Sequence, residues 1–591
     1  MSDSLEALKE AYKHAALPAL NRALANVKVQ GLTSQKIFIL RNHTLDNLTS
    51  FLKAQGLLDG IDAQVQIGDY DVILPYVMNS ASPLHTQSPH IILLSWVVEG
   101  LTRGKMHDEE LLSQIPKRCQ QEIEAILEHA KGTLLVHTLS LPAMPGEGLL
   151  TFKQNKGLYY WVTQTNELLK EMAQKYPRVF IIDIQAIEKR LGRAQCFDWR
   201  LWLMAKSLFT PILLREIAIE IGALMRALSG KTKKCLVLDC DQTLWGGIVG
   251  EDGLEGIALS PDEYPGNMYY QFQSQILSLQ QKGVILALCS KNNPEDVWQV
   301  LEQHPHCLIK KEHIVAFRIN WEDKASNLQA LAQELNLGLD SFVLVDDNPM
   351  ECAWVKQALP EVEVLQLPDP LWAQVDFLLG RRLFETMSVT QEDLERTRMY
   401  QKQADRRSVE SSFVNMDDFL RSLELKVILA KAQNSDIPRI SQLTQKTNQF
   451  NLTTRRYSEK DIEQILSQGD DVLTLKVSDR FGDFGLVGVV IVKYNLAEAS
   501  IDTFLLSCRV LGRKVEEVAL DQALKQAKSR GAKTVLGEFI PTAKNHQTED
   551  FYKHAGFQLV EQQPNGSKDF VLPLDSWQAK SWDYMQVALS K

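Results

Sequence analysis

Short apolar runs alternate with amphipathic stretches over the first third of the chain. Short apolar runs predict buried strands, and apolar spacings of three and four residues between them predict helices. Strands that alternate with helices form parallel sheets. In chain order the runs are Lys36-Ile-Phe-Ile-Leu40, VQIGDYDVILPY, HIILLSW, TLLVHTLSL and VFIIDI. We therefore expect a helical leader over residues 1–34 and an α/β domain over residues 35–228.

The same alternation resumes after the helical segment TPILLREIAIEIGALMRALSG. The runs CLVLD, VILALCS and FVLVDD predict three buried strands with helices between them, and so a doubly wound parallel sheet over residues 229–380. Charges at i,i+4 spacing then predict a solvated helical linker over residues 381–423.

From residue 424 the pattern changes to alternating antiparallel-like strands. VLTLKVSD, LVGVVIVKY and ASIDTFLLSCRV are the main examples, and VEEVALDQALKQAKSRG predicts a helix. We expect a third, α+β domain over residues 424–591.

Composition narrows the class of protein. The net charge of −10 argues against nucleic acid as a partner, because that binding relies on basic patches. No apolar run is long enough to span a membrane, and the acidic N-terminal segment is unlike a signal peptide. Eight cysteines without a CxxC pair suggest neither a disulfide framework nor a zinc site. These features predict a cytoplasmic protein.

Polar side chains follow the predicted strands of the middle domain at the points where each strand ends. Because the carboxyl ends of parallel strands meet at one edge of a sheet, these side chains should converge in one crevice. Carboxylates there bind Mg²⁺, while a lysine with hydroxyl and amide donors neutralises a phosphoryl group. The residues are Asp239, Asp241, Thr243, Ser290, Lys291, Asn292, Lys324, Asp346 and Asp347.

The charges suggest a role for each acid and for the lysine. Asp239 is the expected nucleophile or lead metal ligand, and Asp241 the expected acid/base. The predicted metal ligands are Asp239, Asp241, Asp347 and, in support, Asp346. Lys324 would neutralise developing charge.

Thr243, Ser290, Lys291 and Asn292 are the predicted phosphate-binding residues. Taken alone, any one of these groups is equally compatible with a turn or a helix cap.

The order of these motifs resembles the haloacid-dehalogenase-like (HAD) phosphotransferase superfamily and, more closely, its FkbH-like branch. The segments LVLDCDQTLWGGIVGEDG, CSKNN, NWEDKASN and VDDNP carry the resemblance, with FDWRLWLMAKSLFTP before them and LTQKTNQFNLTTRRYS after them. The resemblance implies a glyceryl transferase with phosphatase activity. Such an enzyme takes D-glycerate from 1,3-bisphosphoglycerate, removes phosphate, and loads the glyceryl group as a thioester on an acyl carrier protein for polyketide-type biosynthesis.

The resemblance also gives Cys240, between the two acids, a possible role. A thiolate beside Mg²⁺ and Lys324 would have a lowered pKa and could attack C1 of an acyl phosphate. The carrier's pantetheine thiol would then take the acyl group by thioester exchange. The alternatives are that Cys240 only packs in the core, or that the carrier thiol attacks directly.

The C-terminal domain resembles the N-acetyltransferase (GNAT) fold. Arg509, Gly512 and Arg513 form a turn before a helix, and such turns bind pyrophosphate, so these residues are predicted to bind the carrier's pantetheine arm. Lys514 stands where the GNAT signature has Gly or Ala, which argues against acetyl-CoA. A packing or lid role for the domain is an equal alternative.

The N-terminal domain resembles the SGNH hydrolases. That fold has a serine nucleophile after its first strand, but the present chain reads Ile39-Leu-Arg-Asn-His-Thr44 there. We therefore expect a docking role without hydrolase activity, and no catalytic role for His43.

Three rivals to the glyceryl transferase remain open. The first is a Mg²⁺-dependent phosphatase of a small phosphorylated metabolite, which needs Asp239 but not Cys240. The second is a non-catalytic docking protein of a biosynthetic assembly, and the third an acyl-loading enzyme for a different phosphorylated acid.

Overall fold

The computed structural model describes residues 2–29, 31–141, 146–374, 377–410, 416–542, 544–580, 582 and 585–590. The chain divides into two compact units, Met1–Arg226 and Ala227–Lys591. The division falls in the last turn of the helix Pro211–Leu228.

The first unit is built on a five-stranded parallel sheet, which confirms the predicted sheet type. Its strand order is β2-β1-β3-β4-β5. The strands are β1 (Thr33–Arg41), β2 (Ile61–Tyr70), β3 (Ile91–Ser95), β4 (Thr133–His137) and β5 (Val179–Ile182). Every residue of β3 and β4 is buried, as expected for strands covered by helices on both faces.

Twelve helices accompany this sheet in the described residues. They are α1 (Ser2–Lys13), α2 (Leu17–Asn26), α3 (Leu48–Leu58), α4 (Ile73–Met78), α5 (Pro83–Thr86), α6 (Val98–Leu101), α7 (Glu109–His129), α8 (Gly157–Lys175), α9 (Ile184–Leu191), α10 (Arg193–Cys196), α11 (Trp199–Ala205) and α12 (Pro211–Leu228). The predicted leader corresponds to α1 and α2, which bury Leu8 and Leu20 completely.

The second unit begins with another five-stranded parallel sheet, of order β10-β9-β6-β7-β8. Apolar side chains cover both faces of this sheet. The strands are β6 (Cys235–Leu238), β7 (Ile285–Ser290), β8 (Ile314–Ile319), β9 (Phe342–Asp346) and β10 (Glu363–Gln366).

The helices of this part include two that connect β6 to β7. They are α13 (Val249–Gly256), α14 (Gly266–Gln281), α15 (Pro294–Gln303), α16 (Lys324–Leu335), α17 (Pro349–Ala358), α18 (Gln391–Leu394), α19 (Arg396–Glu410) and α20 (Met416–Ser422).

The remainder of the second unit is a mixed sheet, ordered β17-β18-β16-β15-β14-β13-β11-β19 with β12 on β15. β15–β16 and β11–β19 are parallel pairs and the others are antiparallel. The strands are β11 (Leu425–Lys431), β12 (Phe450–Asn451), β13 (Asp471–Asp479), β14 (Gly482–Asn495), β15 (Glu498–Leu506), β16 (Thr534–Phe539), β17 (Gln558–Gln562), β18 (Lys568–Pro573) and β19 (Met585–Ser590). The helices are α21 (Ile437–Lys446), α22 (Glu459–Ser467), α23 (Val515–Ser529) and α24 (Phe551–His554).

The start of the predicted linker is not a solvated helix. The Tyr400 side chain of α19 is buried in the core on one face of the β6–β10 sheet. The Arg396 guanidinium donates to the Gly283 carbonyl, and the Gln401 amide to the Ile314 carbonyl. The charges of α19 do have i,i+4 spacing, but the first turns of this helix pack against β7 and β8 and are not solvated. No helix in the described part of the chain meets the length and apolarity needed to cross a membrane.

Candidate functional site

Three carboxylates meet at the carboxyl edge of the β6–β10 sheet. Asp239 directly follows β6, Asp346 ends the adjacent strand β9, and Asp347 follows it. One ligand oxygen of each lies within 4.8 Å of the others. Asp239 and Asp346 are buried. The group therefore has the oxygen ligands that a small divalent cation prefers.

Lys324 lies among these acids. It begins α16, whose first turn is capped by the Asp323 carboxylate. The Lys324 Nζ lies 3.3 Å from Asp239 Oδ2 and also contacts Asp346 Oδ2. Burial alone would lower the pKa of Lys324, but the carboxylates of Asp239 and Asp346 outweigh it and raise that pKa. The lysine thus stays charged in a site from which water is largely excluded.

The second oxygen of Asp239 fits a cation. Burial, together with the charge of Asp346, raises the pKa of Asp239 to about 6, although Lys324 opposes the shift. Asp239 Oδ1 is buried and has no hydrogen-bond partner among the described residues. A buried carboxylate oxygen without a partner is costly, so this atom requires either a cation or a reacting group.

The Asp241 carboxylate is not part of this three-carboxylate group. It accepts hydrogen bonds from Trp245 Nε1 (2.8 Å), the Val249 amide (3.0 Å) and Asn292 Nδ2 (2.8 Å). Burial nevertheless raises the pKa of Asp241. The Asp241 carboxyl group is therefore held in a fixed orientation, which suits the predicted acid/base role. Its side chain does not lie with the three carboxylates that could hold a metal ion, as the prediction of metal ligation required.

The predicted phosphate-binding residues separate into two sets. Ser290 ends β7 and is 3% exposed, and its hydroxyl partly opposes the rise in the pKa of Asp239. Asn292 is also buried, and Thr243 is fully buried in the turn that follows Asp241. Lys291, in contrast, places its Nζ 2.6 Å from Glu351 Oε1 on α17, so its charge is already paired.

The pKa of the Cys240 thiol is raised, whereas the sequence analysis expected it to be lowered. Its side chain is fully buried and belongs to the apolar cluster that includes Leu238 and Leu244. Burial raises the pKa of the Cys240 thiol, and the neighbouring charge of Asp239 raises it further. The expectation included a bound Mg²⁺ ion, whereas in the protein without the ion burial and the flanking acids outweigh Lys324.

The first unit contains a polar cluster that the sequence analysis missed. Ser95 Oγ, at the end of β3, lies 2.8 Å from His43 Nε2 and 2.7 Å from His137 Nε2. All three side chains are buried. His43 is therefore not an isolated loop histidine. Ser95 ends the third strand in sequence and not the first. The strands β3 and β1 are neighbours in the sheet, and that adjacency could not be seen from the motif alone.

The predicted pantetheine residues surround the start of α23. Gly512 has φ +76°, and Lys514 at the helix N-cap has φ +59°, a left-handed conformation in which Gly is favoured. Arg509 and Arg513 are at most 9% exposed, and the Arg513 guanidinium stacks on Phe484. These arginines are therefore buried groups and not parts of a solvated surface.

The parallel sheet and the acid-lysine group at its carboxyl edge define the class of this part of the chain. Both features are consistent with a HAD-like phosphatase domain. The predicted doubly wound fold is confirmed for the domain that bears the site.

Comparison with known proteins extends this assignment. Residues 36–221 match the family model described as the FkbH N-terminal domain. The N-terminal part of the protein BF1531 from Bacteroides fragilis, crystallised as a phosphatase domain complexed with Mg, is a similar solved structure. It is 28% identical, with a TM-score of 0.59, and the match covers 63% of the present chain and 99% of that chain. These findings confirm the resemblance to the FkbH-like family.

Two acetyltransferase structures match a smaller part of the chain. The ribosomal-protein-S18-alanine N-acetyltransferase from Escherichia coli is 16% identical, covering 26% of this chain and 99% of its own. Ard1 from Thermoplasma volcanium is 18% identical, and the match covers 25% of the present chain and 97% of the Ard1 chain. Both TM-scores are 0.21, so the likeness carries no argument about function. The SGNH-like fold of the first unit stays a prediction. No curated protein matches the chain.

Proposed function

We propose that the protein is a glyceryl transferase with phosphatase activity. It takes D-glycerate from 1,3-bisphosphoglycerate, removes phosphate, and loads the glyceryl group as a thioester on an acyl carrier protein. The observation that carries the proposal is the buried Lys324 between Asp239 and Asp346, with Asp239 Oδ1 unpartnered among the described residues. The matches to the FkbH N-terminal domain and to the Mg-bound phosphatase domain support it.

Asp239, Asp346 and Asp347 would hold the Mg²⁺ ion. The ion supplies positive charge that favours anionic oxygen and sulfur atoms next to it.

The dephosphorylation step follows from the positions of the acids. An oxygen of Asp239 attacks phosphorus, and the bond from phosphorus to the C3 oxygen breaks. Asp241 gives its proton to the departing oxygen, and its raised pKa suits this role. Asp241 then accepts a proton from the water that cleaves the aspartyl phosphate. Lys324, Ser290 and Asn292 offer positive charge and donors to the transferred phosphoryl group.

The acyl step has two candidate acceptors. A thiolate attacks C1 of the acyl phosphate, the bond from C1 to the phosphate oxygen breaks, and inorganic phosphate leaves. Cys240 is one candidate, although its raised pKa means that it must lose its proton within the loaded site. The carrier's pantetheine thiol is the other.

Exposed apolar side chains near the catalytic edge suit a macromolecular acceptor. Trp321 follows β8 and is 72% exposed, while Met350 and Trp354 on α17 are 80% and 50% exposed. Trp321 Nε1 donates to Asn293 Oδ1, next to the site residue Asn292. Exposed aromatic side chains beside a catalytic edge are typical of protein-binding surfaces.

The test of the proposal uses the mass of a holo carrier protein. The enzyme is incubated with 1,3-bisphosphoglycerate, Mg²⁺ and the carrier, and we expect a gain in carrier mass equal to one glyceryl group. Phosphate release without a change in carrier mass would instead favour a phosphatase of small metabolites. If the protein neither released phosphate nor loaded the carrier, the result would favour a docking protein.

The role of Cys240 is tested on the enzyme itself, without carrier. If Cys240 is the acceptor, intact-mass spectrometry shows a glyceryl adduct on the wild type and none on Cys240→Ser. Carrier loading by Cys240→Ser at the wild-type rate would assign the acyl step to direct attack by the carrier thiol.

A further inference from the structure

A strongly cationic cavity lies in the second unit, away from the catalytic edge. Its volume is about 320 Å³. Among the described residues that line it, six are basic and one, Asp340, is acidic. The basic residues are Lys234, Arg396, Arg439, Lys446, Arg509 and Lys544.

The cavity lies at the opposite end of the β6–β10 strands from the phosphoryl site. Lys234 immediately precedes β6, Ile285 is the first residue of β7, and Ser341 immediately precedes β9. Asp239 and Asp346 lie at the other ends of β6 and β9. At about 3.3 Å per residue, one four-residue strand separates the two sites by roughly 13 Å. A ligand of the cavity is therefore distinct from the group that reacts at Asp239.

Nearby acids neutralise only part of this positive charge. Asp340 pairs with Lys544, and Asp393 contacts Arg396 and Lys446. The nearest carboxylate oxygen of Glu392 is 3.9 Å from Arg439.

The two remaining cations have no such partner. No carboxylate of the described residues lies within 4.0 Å of Lys234 or Arg509, and Lys234 Nζ donates only to the Lys446 carbonyl, at 3.0 Å. If all six basic side chains are protonated, the three acids leave an excess of about three positive charges in one partly enclosed space.

The crowding is visible in the individual groups. Arg439 and Arg509 are each 7% exposed. Burial, together with the nearby charge of Arg509, lowers the pKa of Arg439 to about 9. Burial, followed by the charges of Arg396 and Arg439, also lowers the pKa of Lys446. Buried like charges repel one another strongly unless an anion lies between them.

We propose that this cavity is a second anion site, which binds a small, multiply charged phosphate compound. The volume is at the small end of ligand sites, which span about 300–1,000 Å³. Guanidinium groups match phosphate oxygens in geometry, and the excess positive charge favours a phosphomonoester or a diphosphate over a singly charged phosphodiester.

Binding of inorganic pyrophosphate tests the proposal directly. Isothermal titration calorimetry would be performed in EDTA at constant ionic strength, so that the metal-dependent site does not contribute. We expect one pyrophosphate per chain, bound equally by the wild type and by Asp239→Asn. Arg439→Gln and Arg509→Gln, on two different elements, should each weaken binding about tenfold or more. Lys311→Gln, which changes an exposed lysine of the same unit, should bind as the wild type does.

Thermal unfolding keeps the test decisive if a variant folds poorly. Arg439→Gln loses a repelling charge but also the donors to the Leu486 carbonyl and to Gln442, so its melting temperature without ligand is the baseline, and its stabilisation by pyrophosphate should be smaller than that of the wild type. Unchanged pyrophosphate binding by both cavity variants, or no binding by the wild type, would overturn the proposal. Tighter binding of dimethyl phosphate than of pyrophosphate would also overturn it, since that result would indicate the phosphodiester of a carrier arm.

Discussion

At the scale of single residues, the site depends on how buried charges compensate one another. Lys324 and Asp346 are both at most 2% exposed, and Asp239 is little more exposed. Removal of one partner from a buried ion pair leaves an uncompensated charge, which costs more than the pair itself gains. Lys324 therefore stabilises the fold of the site as well as the charge of a phosphoryl group.

We predict that Lys324→Met lowers the free energy of unfolding of the second unit by about 3–5 kcal/mol in EDTA. The physical reason is the buried carboxylates of Asp239 and Asp346, which lose their cation. Lys291→Met is the matched control: its side chain is 38% exposed and paired with Glu351, so it should cost no more than about 1 kcal/mol. Urea denaturation measures both, and equal losses would contradict this account of Lys324.

His137 predicts a pH dependence of the first unit. Burial lowers the pKa of His137 from its ordinary value of 6.5 to about 4. Between about pH 6.5 and 4 the unfolded chain takes up a proton that the folded chain does not, so stability falls as the pH falls through this window. The loss is about 3 kcal/mol and is complete near pH 4.

Hydrogen exchange of the β4 amides at several pH values measures this effect. His137→Gln should remove about half of the difference between about pH 7 and pH 4, because the buried His43, whose pKa burial also lowers, keeps the rest. The control is His107→Gln, which changes an exposed histidine and should leave the pH profile unchanged. A wild-type profile in His137→Gln would show that other groups produce the loss.

At the scale of secondary-structure elements, the contact between α14 and α18 replaces the solvated linker that the charge pattern predicted. Gly283 follows α14 with φ +88°, and a Cβ atom there would lie 2.5 Å from the Asp393 carbonyl oxygen. This close approach fixes the start of α18 and α19 against the β6–β10 sheet. Only glycine satisfies both the backbone conformation and the space.

We predict that Gly283→Ala destabilises the second unit more than Gly531→Ala does. Gly531 also has φ +88°, but a Cβ atom added there would meet no other atom within 4 Å. Gly531→Ala therefore isolates the backbone strain, which costs about 1–2 kcal/mol. The additional clash at Gly283 should add at least about 1 kcal/mol. Chemical denaturation measures both variants, and equal effects would mean that α18 moves away freely.

The exposed tryptophans near the catalytic edge predict a split between two activities. Trp321→Ala and Trp354→Ala should each lower kcat/KM for carrier loading about tenfold or more. Phosphate release from a small phosphate ester should change by no more than about twofold, because neither ring hydrogen-bonds to Asp239, Asp346 or Asp347, and Trp354 reaches only the exposed cap residue Asp323. Leu496→Ala, at an exposed turn between β14 and β15, is the control. Equal losses in both assays would contradict a docking role.

The parallel sheets and the location of the acids could be predicted because each depends on a local pattern. Apolar runs identify β6, β7 and β9, and the polar groups that follow them must meet at one edge. The partner of Lys291 could not be predicted, because Glu351 is close to it only in the folded chain. The same holds for Asp241 and its partner Asn292. The short strands β8 and β10 were missed because their apolar runs are interrupted by charged or polar residues.

At the scale of the whole molecule, charge is distributed unevenly. The chain carries a net charge of −10, yet one cavity of the second unit collects six basic side chains. The total charge argues against nucleic acid as a partner, but it could not show this local excess. Only the fold brings together residues as distant in sequence as Lys234 and Lys544.

The most direct test of the proposed function counts phosphate against loaded carrier. With 1,3-bisphosphoglycerate, Mg²⁺ and holo carrier, the wild type should release two phosphates for each glyceryl thioester formed. Asp239→Asn should release at most one phosphate per substrate and give no unphosphorylated glyceryl thioester, because Asp239 attacks the second phosphoryl group. If Asp239→Asn formed glyceryl thioester with two phosphates at the wild-type rate, the assignment of this site to glyceryl dephosphorylation would be wrong.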